Sequence, residues 1–247
     1  MTPLQVMLPD IADLVFGGPA KRRNWLDWGT FHVKPSYLES LRKYLRAVKQ
    51  RNALLKDQAD SQTLHPWHEE VARLGESVTA DRLGYLGQLL PHFESVLGEL
   101  APGLNLEVAY RRGWGREEEL RKLLAESNPR EVKYGSTLWG PHRADVQIRC
   151  EGAPAGTVLS RGQGKLVACA LQIGQASLLA VSEQRSTVFL IDDAGAELDV
   201  AHNARFFRLL KQLGGQILAT TTQHPGSELQ DTARVFHVEH GRVTPNS

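Results

Sequence analysis

Val188-Phe189-Leu190-Ile191-Asp192-Asp193 decides how the chain is read: an apolar run without alternation, ending in two carboxylates. A strand buried on both faces of a parallel sheet has that composition, because helices cover it on either side. Ligands of open α/β sheets gather at the carboxyl ends of such strands. Asp192 and Asp193 are therefore candidate catalytic residues. Asp192 would hold Mg²⁺, usually through water, and Asp193 would orient or deprotonate an attacking water. Upstream stands Leu159-Ser160-Arg161-Gly162-Gln163, a hydroxyl, a cation and a glycine just before a helix-forming run that begins near Lys165. Such a helix start turns unpaired N–H groups and the positive end of the dipole outward, which suits a phosphate. Ser160 would add a hydroxyl donor and Gly162 would let the backbone approach closely.

Around these pieces the periodicity alternates. Helix 164–182, strand 187–191, helix 201–213 and strand 216–221 read as α/β units with a parallel sheet. Earlier, Leu38, Leu41, Leu45, Val48 and Leu55 recur three and four apart, interrupted by Asn52. Val71, Leu74, Val78, Leu86, Leu90, Phe93 and Leu97 repeat that pattern over 67–100. Pro91 should kink or break this second segment. With the polar turn 58–63 between them, the two segments predict an antiparallel helical hairpin. Alternation in Leu104, Leu106, Val108 and Tyr110 predicts a half-buried strand, 117–127 a short surface helix, 145–150 a strand, and 234–240 a tail strand ending at Gly241.

The 247 residues carry a formal net charge of +1, so any nucleic-acid surface must be a local patch. Arg42, Arg46, Lys49 and Lys56 fall on one face of the first hairpin helix, flanked by Lys43 and Arg51, and would track a phosphate backbone. The alternative is the solvated face of an amphipathic helix. Lys21, Arg22 and Arg23 form a second cluster beside Trp25 and Trp28, whose rings would either stack on bases or anchor a core. Phosphate contact with little base reading is the expectation. Two cysteines, Cys150 and Cys169, make no disulfide framework. No stretch has the form of a leader or a membrane span, so a cytoplasmic protein with no membrane partner is expected. His142, in Gly140-Pro141-His142-Arg143, reads as holding a loop. No Cys/His grouping has metal-ligand spacing.

These motifs, in this order, resemble the RecF family of DNA repair ATPases, relatives of the SMC proteins and of the ABC-type ATPase fold. The resemblance also rests on Gly17-Gly18-Pro19, Arg22-Arg23, Leu26-Asp27-Trp28-Gly29, Lys49-Gln50-Arg51-Asn52, Gly140-Pro141-His142, Ala144-Asp145 and Phe236-His237-Val238-Glu239-His240-Gly241. It implies an α/β fold: the C-terminal part of an ABC-type ATPase head with a parallel sheet, and an inserted α-helical hairpin lid. Residues 1–31 and 131–247 would belong to the head and 32–130 to the lid. It implies ATP and Mg as cofactors, with Ser160, Arg161, Gly162 and Gln163 as the signature, Asp199 as a subunit-contact aspartate, and either His224 or the run Thr220-Thr221-Thr222 as a residue sensing the terminal phosphate. It also implies an ATP-dependent homodimer that sandwiches two nucleotides, binds single- and double-stranded DNA at gaps or junctions, and works with recombination mediator proteins in repair and the SOS response.

The family's G-x-x-x-x-G-K-[S/T] phosphate loop is not in this sequence. Gly164-Lys165 is followed by Leu166, which cannot ligate Mg²⁺, and no glycine opens such a loop. The chain is thus expected to be a fragment lacking the nucleotide-binding lobe, and to hydrolyse no appreciable ATP alone. Gly164, where a larger residue usually follows the signature glutamine, would loosen the helix start. Ala194-Gly195-Ala196 leaves little side chain in the D-loop. The alternatives are an SMC-like C-terminal head lobe, which would carry a far longer coil, and a non-catalytic DNA-binding or partner-docking module.

Overall fold

The protein is described by a computed structural model that covers residues 2–115, 118–126, 129–194, 198–222 and 233–245. β1 (Leu4–Met7) leads through a 3-10 turn (Pro9–Ala12) and the single turn α1 (Asp13–Phe16) into α2 (Pro19–Val33). Pro19 opens α2 at a position where its missing N–H costs nothing. The hairpin follows as α3 (Tyr37–Lys56) and α4 (Ser61–Leu100), then β2 (Leu106–Arg111), α5 (Leu120–Ala125), α6 (Pro129–Tyr134) and a 3-10 turn (Pro141–Arg143). Next come β3 (Asp145–Cys150), β4 (Ala153–Pro154), α7 (Ala155–Val158), α8 (Arg161–Ser182), β5 (Val188–Ile191), α9 (Val200–Gln212), β6 (Ile217–Ala219), β7 (Phe236–Glu239) and β8 (Arg242–Pro245).

β1, β5 and β6 form a parallel sheet in that order, with Val6 level with Leu190 and Leu190 level with Leu218. One face, carrying Met7, Phe189 and Ile191, belongs to a core built on α8 and the second half of α4. The opposite face is open. Val188 and Leu190 are only half-buried, so the expectation of a strand covered on both faces is corrected: α8 supplies one layer, and among the described residues nothing supplies the other. α8 is apolar on nearly every side, as a central core helix must be. It is long and apolar enough to cross a membrane, yet most of it is buried in the head. Gly174 lets α4 approach closely, since a Cβ there would lie 3.1 Å from the Phe93 backbone.

The hairpin forms, with two corrections. α4 runs unbroken through Pro66 and Pro91. The carbonyl that Pro91 deprives of its partner is that of Gly87, which is exposed to water and has no side chain to crowd the ring. Tyr85, Leu86, Leu89, Phe93 and Leu97 pack on the other side and hold the helix through it. In α3, Leu45 is exposed; the buried seam is Tyr37, Tyr44, Val48, Arg51 and Leu55. The first half of α4 packs with α3, Leu120 and Leu124 in a second core, so α5 is a lid-core helix with two buried leucines and not merely a surface one. α4 thus threads both cores as a common axle. Residues 32–130 stand as the proposed lid.

Buried polar groups fasten lid to head. Arg82 of α4 reaches both carboxylate oxygens of Asp27 on α2, at 2.7 and 3.0 Å, and bonds the Tyr37 and Tyr110 hydroxyls and the Pro141 carbonyl. Arg51 of α3 and Glu131 of α6 form a fully buried ion pair at 2.7 Å, across the boundary expected at residue 130. Arg51 also donates to Thr137 Oγ1 and the Leu124 carbonyl, and Glu131 accepts from the Leu138 N–H. Asn52, which interrupts the apolar pattern, accepts from the N–H and hydroxyl of Thr137.

His142 closes this network. Its Nε2 lies 3.0 Å from the Thr137 carbonyl and its Nδ1 2.6 Å from the Tyr44 hydroxyl. A carbonyl only accepts, so Nε2 carries the proton and Nδ1 accepts from Tyr44. Burial pushes the imidazole pKa down to about 4, and burial does the same at His32 and His68. In the unfolded chain histidine titrates near 6.5. Stability from these neutral imidazoles is therefore complete above pH ~6.5 and lost as pH falls toward ~4, because only the unfolded state takes up the protons. The melting temperature is expected to drop by several degrees between about pH 7 and pH 5. His142→Gln, which titrates nowhere in that range, should shrink the drop; a melting profile parallel to the parent's would remove His142 from this account.

Candidate nucleotide and DNA site

Ser160 caps α8 in the reciprocal arrangement that its spacing to Gln163 permits. Ser160 Oγ accepts the Gln163 N–H, and Gln163 Oε1 accepts the Ser160 N–H. Gly164 N–H then makes the first helical bond, to the Ser160 carbonyl. That leaves the N–H groups of Arg161 and Gly162 and the Ser160 hydroxyl proton pointing from an exposed helix start, with no side chain at Gly162 to bar an anion. Gly164 does not loosen this start. The helix already begins at Arg161, and a Cβ on Gly164 would collide with the Phe16 ring, so the glycine is what lets α1 pack against α8.

Beside the helix start an open cleft of about 490 Å³ is lined by Gly162, Gln163, Asp199, His202 and Arg205 among others. Asp199 caps α9, accepting the His202 N–H at 2.8 Å and facing His202 Nδ1 at 2.7 Å. The His202 N–H foremost, with its imidazole, holds this exposed carboxyl below the usual aspartate range.

At the end of β5, Thr220 locks the two carboxylate residues in place. Its hydroxyl donates to Asp192 Oδ1 at 2.7 Å and accepts the Asp193 N–H at 2.9 Å, and its carbonyl accepts the Ala194 N–H. Asp193 has φ +52°, a left-handed conformation that a non-glycine residue adopts at a cost. Its own N–H bond to Thr220, with the bonds that Asp192 and Ala194 on either side make to the same threonine, holds it there. Asp192 is exposed and Asp193 is half-buried. Underneath, a small cavity of about 20 Å³ brings Lys165, Cys169, Asp192 and Asp193 together. Burial among apolar groups pushes the Cys169 thiol up to about 12, so it is not a nucleophile.

The sequence offers Thr220 only within a run that competes to sense a phosphate; its part in holding Asp192 and Asp193 comes from the neighbouring strand and is not legible there. Among the described residues no three His, Cys, Asp or Glu side chains gather as a metal cage. Asp192 alone fits a hydrated Mg²⁺ that takes its other ligands from phosphates. Gly195, Ala196 and His224 lie outside the described residues.

The two basic clusters part ways. Arg42, Arg46, Lys49 and Lys56 are exposed on one face of α3, and among the described residues they make no ion pair or hydrogen bond. Lys43 is tied to Glu39 one turn away, and Arg51 is fully buried, not a flanking surface cation. The second cluster is a correction. Arg22 grips both carboxylate oxygens of Asp145 and the Gly17 carbonyl, Arg23 donates to the Ala144 carbonyl, and Lys21 pairs with Asp10 and Asp13. Arg22 and Arg23 fasten α2 to β3, and the positive charge of Lys21 is offset by two aspartates, so no free cationic patch remains there. Trp25 is buried in the core, which removes it as a base-stacking platform, and Trp28 packs on His32 at a ring distance of 4.3 Å.

No protein-family profile matches the chain. Curated relatives do. Over 246 residues it is 36% identical to the DNA replication and repair protein RecF of Vibrio parahaemolyticus, spanning 99% of this chain and 68% of that protein. Against RecF of Vibrio vulnificus the identity is 38% over 243 residues, spanning 98% and 68%. Among solved structures, that of the recombination mediator protein RecF with ATP, in the RecFOR pathway, superposes with a TM-score of 0.83 at 26% identity, covering 100% of this chain and 68% of that one. An Smc head domain from Pyrococcus furiosus, at TM-score 0.54 and 15% identity, shares the fold.

Proposed function

Because this chain belongs to the RecF family of DNA replication and repair proteins, we propose that it forms the signature-and-lid portion of an ATP-dependent, dimerising DNA-binding ATPase acting at gapped or junction DNA beside recombination mediator proteins. The observation that carries the reading is the capped and exposed start of α8, which offers two N–H groups, a hydroxyl and a glycine. In the dimer this start meets the terminal phosphate of a nucleotide held by the second copy. Asp192 would hold Mg²⁺ through water, Asp193 would orient the attacking water, and Asp199 with the α9 start would line the subunit contact. Mg²⁺ would supply charge neutralisation on the phosphates. Arg42, Arg46, Lys49 and Lys56 lie along the DNA backbone.

Fluorescence anisotropy of the 247-residue chain on a labelled single-strand/double-strand junction, over a salt series with and without Mg-ATP, tests this. Salt-sensitive binding supports the lid as the DNA surface. No binding at low salt in either condition would sink that assignment for the chain as it stands. The same preparation should hydrolyse no appreciable ATP, since no phosphate loop occurs in its sequence; hydrolysis that disappears on Asp192→Asn would overturn that expectation.

A further inference from the structure

Trp25 is buried and Trp28 packs on His32, so neither presents a ring to a nucleic acid. Tyr134 does. It is 64% exposed, more than any other Phe, Trp or Tyr side chain among the described residues. A lone exposed ring is ordinary, but the mounting and position of this one are not. Tyr134 closes α6, where the Gly135 N–H bonds the Val132 carbonyl and the Ser136 N–H bonds the Glu131 carbonyl. Gly135, at φ +56°, takes the left-handed turn that this closure needs. One turn back, Glu131 is held in its buried pair with Arg51 of α3. The ring therefore stands on a backbone fixed to the basic helix. Along that helix Arg42, Arg46, Lys49 and Lys56 share one face, and Asn52, which falls on the same line, bonds Thr137. The stem of Lys56 lies over Gly135, where a Cβ would collide with it. Residues 134–137 thus cross the end of the basic row. Lys133 Nζ lies 5.7 Å from the centre of the Tyr134 ring, and Arg143 reaches Ser136 Oγ at 3.3 Å. Lys56, Lys133 and Arg143 are all exposed, whereas the single carboxylate of α6, Glu131, is buried and paired.

We propose that Tyr134 is a stacking platform for the first unpaired base of a DNA strand that leaves the duplex lying along α3. The proposal rests on the reading of the α3 face as the DNA surface. From Arg42 to Lys56 the row is about 21 Å long, at about 1.5 Å per helical residue. At about 3.4 Å per base step it accompanies no more than about six steps of duplex. A base inside that duplex shows its faces only to its neighbours in the stack, whereas an unpaired base can lay one on an aromatic side chain. A ring at the end of a phosphate row, and not alongside it, meets a base where pairing stops. The surrounding cations hold the phosphates of the departing strand close to the ring. Every base has a π-face, so this contact favours a junction without favouring a sequence.

The test compares the affinity of the 247-residue chain for three labelled DNAs: a blunt duplex, the same duplex with a single-stranded extension of either polarity, and that extension with abasic sugars replacing its first bases. The abasic sugars keep every phosphate and remove only what stacks. Tyr134→Ala should weaken binding to the extended duplex by about five- to a hundredfold. It should lose little on the blunt duplex and keep the salt slope, because no phosphate contact is removed. The abasic sugars should weaken the parent by a similar factor and leave the alanine variant indifferent. Tyr134→Trp should bind as the parent does, and the melting temperature of either variant should match the parent's, since the side chain stands mostly in water. An alanine variant that binds the extended duplex as well as the parent, a loss equal on blunt and extended DNA, or a parent blind to the abasic sugars each overturns the stacking role and leaves the basic face standing. A ring that serves a protein partner instead gives the first of these. A parent that binds none of the three DNAs at low salt overturns the DNA surface on α3, and the platform with it.

Discussion

Arg51→Ala is expected to cost about 3–5 kcal/mol of stability. The guanidinium and its Glu131 partner are each 0% exposed, 2.7 Å apart. Removing the cation leaves a buried carboxylate whose remaining donor among the described residues is the Leu138 N–H, and the Leu124 carbonyl and Thr137 hydroxyl lose a donor as well. The damage should concentrate around α3, α5 and α6, because Arg51 joins α3 to the end of α5, to α6 and to Thr137, and its hydrogen bonds reach neither α8 nor the β1-β5-β6 sheet. Chemical denaturation should show the lower midpoint, and amide exchange should show α3, α5 and α6 opening before α8. Arg51→Met combined with Glu131→Leu is the informative control. It removes both charges and keeps an apolar fill, so it should recover much of the loss. A double variant as unstable as the single would mean that the pair's other hydrogen bonds, and not the orphaned charge, carry the effect.

Arg51 also shows where sequence reading falls short. Periodicity placed α3 and its exposed basic face, because exposure repeats with the helix and a surface cation needs no partner. The same periodicity ranked Leu45 as core and Arg51 as surface, and both were inverted. Which side of a helix is buried at its flanks depends on what arrives from elsewhere, here Glu131, eighty positions away. The Arg22–Asp145 pair failed for the same reason, its partner standing 123 positions off. Local motifs fared differently. The Ser160–Gln163 cap and the carboxylates at the end of β5 were legible because hydrogen bonds across three residues and the end of an apolar run are written in adjacent letters. Pro91 sits between these cases. Its missing hydrogen bond is a local fact, but whether a helix breaks there is set by the packing of Leu89, Phe93 and Leu97 on α8, which no window around the proline reveals.

The α3 face yields the second large effect. Changing Arg42, Arg46 and Lys49 together to Ala should weaken junction DNA binding by about a hundredfold or more near 0.1 M salt. It should also flatten the slope of log affinity against log salt by about 2 to 3, the value for three lost phosphate contacts. The fold should tolerate the change: all three side chains are exposed, and alanine is the best helix former. The two readouts separate explanations that affinity alone would merge. A structural fault in the lid would lower affinity at every salt concentration without changing the slope. A cationic field acting at a distance would respond to the loss of any cation on α3 by its share of charge, Lys43 included, although its charge is shared with Glu39. Direct contact predicts that Lys43→Ala leaves the slope alone while Lys49→Ala reduces it by about one. Were the triple variant to keep both affinity and slope, the basic face would be an ordinary solvated surface. The DNA would then have to lie elsewhere than along α3, and not on the 21–23 cluster, whose arginines already hold β3 in place.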